Sequence, residues 1–444
     1  MTEGPFTKKI IAFALPLLFT QLLQVFYNAA DMIVLGRFAG TLPLAAVGAT
    51  TQLITLIINL FVGTSSGVGV VSGIMIGAKD EKGLEKTIYS GLSIGLVCGV
   101  AVGITGVLMS HTFMVWMGTP SDVLDMSALY LRIYFLGAPA NILFNFTAAS
   151  VRATGDTKHP MYILTFTGLL NVILNIVMVA ALHLEVAGVA IATVISQYAS
   201  VVLVLMWLKK MDLPFKVELK NIGFSRKETA QILKVGLPTG LQLCMYNISN
   251  VLIQSNLNLF GSTVVAGYTA GANIDNIIFI SGNAISQAAM NFTGHNVGAR
   301  RADNIKKVYR ISLLLNFTYA SIFAVAVYIF RVPVLSLFSS DPEVIAVGAG
   351  RMLFLTLPLP ICNMQDTAGN TLSGLEKSVY AMVITMIGTT FVRFAWIFLA
   401  FKPHQMLQIL YLAYPISWVI TFSSLNLCVI LFQKKLEKQF ERTE

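Results

Sequence analysis

The sequence predicts an all-α integral membrane protein in which twelve transmembrane helices form two six-helix bundles, related by a parallel pseudo-two-fold axis along the membrane normal. Composition, segment length and an internal repeat predict it. Of 444 residues, 56% are hydrophobic and 11% charged, with a mean hydropathy of +0.75, which excludes a water-soluble globule with an ordinary surface. A spanning helix needs roughly 20 mostly apolar residues. Twelve spans are expected on that length, at 10–36, 51–77, 87–110, 127–151, 160–182, 187–208, 229–257, 263–292, 308–330, 343–372, 376–400 and 407–432.

The repeat divides these spans in two. "GAKDEKGLEKTIYSGL" from Gly77 matches "GARRADNIKKVYRISL" from Gly298, an offset of 221, and Pro16 matches Pro238 at 222. Asp122, Arg132, Pro139, Gly155 and Lys158 match Asp341, Arg351, Pro358, Gly374 and Lys377, each at 219. Six spans per half is an even number, so the halves enter the membrane in the same orientation, and two such bundles suit alternating access. The domains expected are a first bundle at 1–208, a cytoplasmic linker at 209–228, a second bundle at 229–432 and a cytoplasmic tail at 433–444.

Basic residues orient the chain. With a cytoplasmic N-terminus, 24 of the 30 Lys and Arg residues fall in inner loops and tails, so both termini are expected inside a multi-pass cell membrane protein. The net charge of +9 then reflects topology and anionic lipid headgroups, and no nucleic-acid partner is expected. No cleavable secretory signal is apparent, since the first apolar segment is long and lacks a small-residue cleavage site. Cys98, Cys244, Cys362 and Cys428 all lie in spans without disulfide or metal spacing, and the five histidines are scattered, so neither a zinc site nor a cofactor is expected. Gly69, Gly73 and Gly77, then Gly91, Gly95, Gly99 and Gly103, recur every four residues and read as packing grooves.

Of 21 acidic residues, 18 fall in loops, tails or span ends, leaving Asp31, Asp275 and Asp366 inside the spans. A charge at mid-membrane costs about 2.5–3.5 kcal/mol on insertion scales and is functional by default. A carboxylate that takes up a proton there makes a proton-coupling site; one left ionised in a polar cavity suits sodium or a cationic substrate. In "QLLQVFYNAADMIVLGRF", Gln21, Gln24, Asn28 and Asp31 form one helical stripe, and Asn171 and Asn175 lie one turn apart in the fifth span. Asp31, Asn28, Asn171 and Asn175 are therefore the candidate cation-coupling residues, with Gln24 and Tyr27 beside them facing a substrate cavity. The seventh and eighth spans carry Gln242, Tyr246, Asn250, Asp275, Asn276, Asn283 and Gln287, a lining that suggests a water-filled cavity in the second half, joined by Asp366 in the tenth. Arg132 and Arg351, at equivalent positions, read as snorkelling residues or a structural ion pair, and Arg393 is a further intramembrane charge to which no role is assigned.

These residues resemble the multidrug and toxic compound extrusion (MATE) transporters of the bacterial type. The resemblance runs through "ALPLLFTQLLQVFYNAADMIVLGRFAG", "LAAVGAT", "GAKD", "RATGDTKHPM" and "GHNVGARR". It implies a secondary active antiporter that exports organic, often cationic drugs or toxic compounds in exchange for protons or sodium ions. Asp31 matches the acid that the family uses in coupling, Asn171 an asparagine beside it, and Pro16 a proline at which the first helix bends. Asn175 stands where some members carry a second acid, which counts against a two-carboxylate sodium site in the first half and leaves Asp31 as the one acid there for a sodium ion. Asp275 fits the pattern of other bacterial members, and the seventh span has no acid.

A monomer in membrane lipid is expected. The alternative function is a flippase for lipid-linked oligosaccharides of a related fold, which needs a strongly cationic cavity where this chain balances arginines with acids. A channel would show a filter-like repeat. An enzyme would show paired metal carboxylates, H-E-x-x-H or a Ser/His pair, and this chain is not expected to be one.

Overall fold

The computed structural model describes residues Met1–Glu441; residues 442–444 of the expected tail lie outside the described residues. Among the described residues all regular structure is helical, and each expected span is one long helix or one bent pair. In chain order these are α1 (Phe6–Phe38), α2 (Thr41–Ala78), α3 (Glu81–Trp116), α4 (Leu124–Leu136 and Ala138–Ala153), α5 (Lys158–Ala181) and α6 (Glu185–Lys210). The second half runs α7 (Arg226–Leu257), α8 (Ser262–Gly298), α9 (Ala302–Ile329), α10 (Pro342–Phe354 and Leu359–Gly374), α11 (Ser378–His404) and α12 (Leu407–Glu441). Among the described residues eight of these helices are long and apolar enough to cross a membrane, and each bent pair passes as one further span. The other two, α7 and α8, have 32 and 37 residues and owe their lower hydropathy to the polar side chains described below.

Many helices outrun the expected spans. For example, α2 begins at Thr41 instead of 51, and α12 continues past 432 to Glu441 through the described part of the expected tail. Hydropathy marks the thickness of the apolar slab, whereas the backbone ladder continues into water as long as propensity allows.

Two spans are broken at proline. Pro139 follows the break in α4, where the two segments meet at 46°, and Pro358 lies in the break of α10, at 50°. Proline donates no N–H and its ring clashes with the carbonyl four residues back, so the ladder fails there and other groups must satisfy the backbone. The Tyr198 hydroxyl does so in α4, donating to the Leu136 carbonyl at 3.0 Å. A second irregularity also recurs in both halves: α5 becomes π-helical over Ile176–Ala181, and α11 over Met386–Phe391 and again over Ile397–Phe401.

The chain forms two compact units. The N-unit comprises Phe19–Ile76 and Asp80–Gly236; the C-unit comprises Met1–Leu18, Gly77–Lys79 and the chain from Leu237 onward. Thus α1 and α7 each contribute one end to either unit, changing over within a turn of Pro16 and Pro238.

In the N-unit the α3 glycines hold α4 closely. Gly95 faces Phe146, and a Cβ on Gly99 would lie 2.7 Å from the Pro139 Cα, so no larger residue fits that crossing. Gly67 of α2 and Gly236 of α7 meet backbone to backbone, where a Cβ on either would strike the other's neighbouring carbonyl at Ile232 or Thr64. The C-unit core includes Tyr268, Tyr411, Tyr414 and Trp418. A separate cluster packs Phe6, Ile10, Phe13 and Leu17 of α1 on Ala284, Ala288 and Phe292 of α8.

Candidate functional site

Within the N-unit the polar stripe of α1 meets α5 at one point. The Asn175 side-chain amide donates to Asp31 Oδ1 and also to Asn171 Oδ1 at 3.2 Å. Asn171 in turn donates to Thr193 Oγ1 of α6 at 3.4 Å, and the Thr193 hydroxyl donates to the Val189 carbonyl at 2.9 Å. Asn171 and Asn175 are buried and Asp31 is half-buried. The π-helical stretch of α5 begins immediately after Asn175, and such single-turn irregularities occur frequently at functional sites. Asn175 Oδ1 is a buried oxygen with no hydrogen-bond partner among the described residues. A carboxylate beside an unfilled amide oxygen can take a proton on the acid alone, or a hard cation on both oxygens.

Of the four expected coupling residues, the structure brings Asp31, Asn171 and Asn175 together. Asn28 and Gln24 remain exposed on the α1 stripe, and no hydrogen bond joins either side chain to Asp31 among the described residues. Tyr27 pins α1 to α5, its hydroxyl donating to the Thr165 carbonyl at 3.1 Å and its ring occupying the space left by Gly168. Pro16 lies 15 residues before Asp31, about 22 Å of helix rise away, in the C-unit part of α1. Tyr130 and Tyr134 of α4, stacked at 6.1 Å, lie within electrostatic reach of Asp31. Sequence reasoning missed them and Thr193, because a threonine that bonds its own helix four residues back carries no outward signal.

The C-unit holds two polar systems. In one, Asp366 of α10 accepts from Asn283 of α8 at 3.3 Å, and Asn283 accepts from Gln287 at 2.8 Å. On α7 the Tyr246 hydroxyl accepts from Gln365 of α10 at 2.6 Å. Nearby on α7, Gln242 donates to Thr385 of α11 at 2.9 Å. In the other, Arg351 donates to Asp275 Oδ2 at 2.7 Å and Thr356 to Oδ1 at 2.6 Å, with all three residues buried. Thr356 sits in the proline break of α10, so the bend places this hydroxyl on Asp275. The Arg351 guanidinium lies 4.5 Å over the Tyr268 ring, and the Tyr268 and Tyr414 hydroxyls are 2.8 Å apart.

The expected cavity residues divide accordingly. Gln242, Tyr246, Asn283, Gln287 and Asp366 belong to the first system and Asp275 to the second, while Asn276 is exposed beside Asp275. Asn250 is exposed and accepts from Arg393 Nη1 at 3.0 Å. Of the two repeat-related arginines, Arg351 makes a buried ion pair and Arg132 is exposed. Arg393 donates to three neutral oxygens.

A family model described as MatE matches residues 16–177 and 238–399, once in each half. Among curated relatives, "Probable multidrug resistance protein YoeA" of Bacillus subtilis (strain 168) is 28% identical over 352 residues, covering 78% of this chain and 76% of that protein. "Probable multidrug resistance protein NorM" of Thermotoga maritima is 22% identical over 404 residues, covering 90% and 86%. Among solved structures, one described as "Crystal structure of MATE in the straight conformation" superimposes with a TM-score of 0.90 at 22% identity over 98% of each chain, a likeness of fold.

Proposed function

The chain belongs to the MatE family of membrane transporters, and from that premise we propose that it is a secondary active efflux antiporter, exporting organic, often cationic compounds in exchange for protons or sodium ions. The observation that carries this reading is the Asp31–Asn175–Asn171 network, an intramembrane carboxylate held by one amide beside a buried oxygen that has no partner among the described residues. The printed names of the relatives, multidrug resistance proteins among them, support the substrate class.

In this reading Asp31 is the coupling acid, with Asn171 and Asn175 holding its geometry and Asn28, Gln24 and Tyr27 lining the approach to it. The exported compound is taken against Tyr246, Asn283, Gln287 and Asp366, next to Gln242, with the Asp275–Arg351 pair, Asn250 and Asn276 completing that wall. Cation binding at Asp31 weakens drug binding, and linkage makes the antagonism reciprocal. Bending of α1 at Pro16 accompanies the exchange, and access alternates between the two sides of the membrane. The protein works as a monomer in the cell membrane, with both termini cytoplasmic and two six-helix bundles at 1–208 and 229–432 joined by the 209–228 linker.

The test is export of a fluorescent cationic dye from energised vesicles, with a pH gradient and a sodium gradient imposed separately, for the wild type and Asp31→Asn. Dye movement that follows one gradient and vanishes in the variant is the expected result and identifies the ion. An Asp31→Asn protein that still drives dye against its gradient would sink the coupling role.

A further inference from the structure

Among the described residues Arg393 is the largest side chain that is almost fully buried, at 2% exposure, and it has no carboxylate partner among them. Its Nε donates to Ser417 Oγ at 3.0 Å, and its Nη1 to Ser249 Oγ at 3.1 Å and Asn250 Oδ1 at 3.0 Å. The guanidinium lies 4.2 Å over the Tyr414 ring. All these partners are neutral, and no ion pair involves Arg393 among the described residues. Nη2 has no acceptor among them either, so two of the five N–H donors are uncommitted.

A guanidinium taken out of water costs several kcal/mol that hydroxyl dipoles and a ring face offset only in part. The other buried arginine of the C-unit shows how such a charge is otherwise met, since Arg351 has Asp275 at 2.7 Å. Neither intramembrane acid of the C-unit forms an ion pair with Arg393. Both Asp275 oxygens are taken by Arg351 and Thr356, and Asp366 accepts from Asn283.

The local backbone is also unusual. Arg393 lies in the five α-helical residues Val392–Trp396 between the π-helical stretches Met386–Phe391 and Ile397–Phe401, so the ladder is out of register on both sides of it. Its partner Asn250 is exposed on the polar face of α7 that also carries Tyr246 and Asn247, which leaves the guanidinium one side chain below an accessible surface.

We propose that Arg393 anchors a monoanion subsite in the C-unit, which takes the carboxylate of an organic substrate on its Nη2 edge, with Asn250 and Tyr414 holding the guanidinium in place. Arg351 is paired with Asp275, so Arg393 is the buried C-unit arginine without an ion-pair partner among the described residues, and one guanidinium edge matches one carboxylate. Arginine's planar, permanently charged donor set suits a carboxylate. The subsite rests on the efflux reading above and narrows it, because the preferred cargo then carries a carboxylate as well as its cationic centre.

The experiment compares equilibrium binding of a rhodamine bearing a free benzoate with that of its methyl ester, the same dye with the anion removed, on the purified full-length protein by fluorescence polarisation. The acid is expected to bind about ten-fold or more tighter than the ester. Arg393→Gln removes that preference, read as the ratio of acid to ester affinity within the variant, and Arg393→Lys keeps part of it. Equal affinity for acid and ester in the wild type, which no folding defect can explain, overturns the proposal, as does an Arg393→Gln protein that keeps the preference. A chloride titration at fixed ionic strength separates the sources of the anion; displacement of the acid alone by millimolar chloride overturns the substrate carboxylate in favour of the free ion. Binding does not require transport. Discrimination without ion-driven export therefore refutes the antiport reading alone, and export without discrimination refutes the subsite alone.

Discussion

The Asn175 side-chain amide donates to the Asp31 carboxylate, joining the only acid of α1 to the residue at which α5 turns π-helical. A hydrogen bond to a charged group is worth about 1.5–3 kcal/mol. Asn175→Ala removes it and frees Asn171, so ion-driven dye export should fall about ten-fold or more, whereas Asn28→Ala, on the same stripe but not bonded to Asp31, should cost about two-fold or less. Initial export rates of the two variants, normalised to protein in the membrane, check this. Equal losses would mean that the stripe acts as a whole and the α5 contact holds no special place.

Asp275 and Arg351 form a buried pair 76 residues apart in sequence, with the guanidinium also resting on Tyr268. Removing one partner of such a pair leaves an uncompensated charge and costs about 3–5 kcal/mol, while removing both costs much less. Arg351→Met and Asp275→Asn should each lower the melting temperature in detergent strongly. The double variant should recover most of the loss, giving a coupling energy of about 2 kcal/mol or more in the cycle. A double variant as unstable as the two single losses added together would show that the charges are met independently.

The crossing of Gly67 with Gly236 brings backbone against backbone, with the carbonyls of Ile232 and Thr64 where the missing Cβ atoms would be. No side chain can rotate away there, so the cost of one methyl exceeds the usual cost of overpacking, about 1–3 kcal/mol. Gly236→Ala is expected to abolish monodisperse protein on size-exclusion chromatography. Gly48→Ala, where nothing lies within 4 Å of the added atom, should behave as the wild type and even gain a little helix propensity.

The spans were legible because hydropathy reports the membrane directly, and the two copies of the repeat survive as matching prolines, glycines and charges. Bends were less so. Pro139 and Pro358 were recognisable as a matched pair, yet the apolar runs around them read as continuous, since hydropathy is blind to the dihedral angles that proline forbids. The π-helical turns left no mark, because Ile176–Ala181 and Ile397–Phe401 are as apolar as any α-helical stretch. Asp31, Asn171 and Asn175 could be grouped by helical spacing and by resemblance. Spacing along one helix cannot say which helices are neighbours, so the partners of Asp275 and Arg393 came only from the fold. Arg351 was the exception, since an arginine repeated in both halves already raised an ion pair.

Asp156, in the "RATGDTKHPM" stretch that the resemblance relies on, joins the start of α5 to the end of α6. Its Oδ1 accepts from the backbone N–H groups of Lys158 and His159 at 3.1 Å each. Its Oδ2 accepts from Trp207 Nε1 at 2.9 Å and lies 2.7 Å from His159 Nδ1, and the His159 and Trp207 rings stack at 3.4 Å with 15° between planes. The arrangement is a helix cap that also clamps a neighbouring helix, so its loss should act on stability before transport. Asp156→Ala is expected to cost about 1–3 kcal/mol from the cap and the indole bond together. Asp156→Asn, whose one oxygen still caps but whose NH2 replaces the acceptor facing Trp207 Nε1, should recover only the cap's share, and Trp207→Phe should cost about 1 kcal/mol with the cap intact. Melts of the three variants in detergent, read beside dye export per folded molecule, decide it. Reduced melting temperature with unchanged export identifies a structural clamp, whereas full stability with lost export would make this cluster part of the transport cycle.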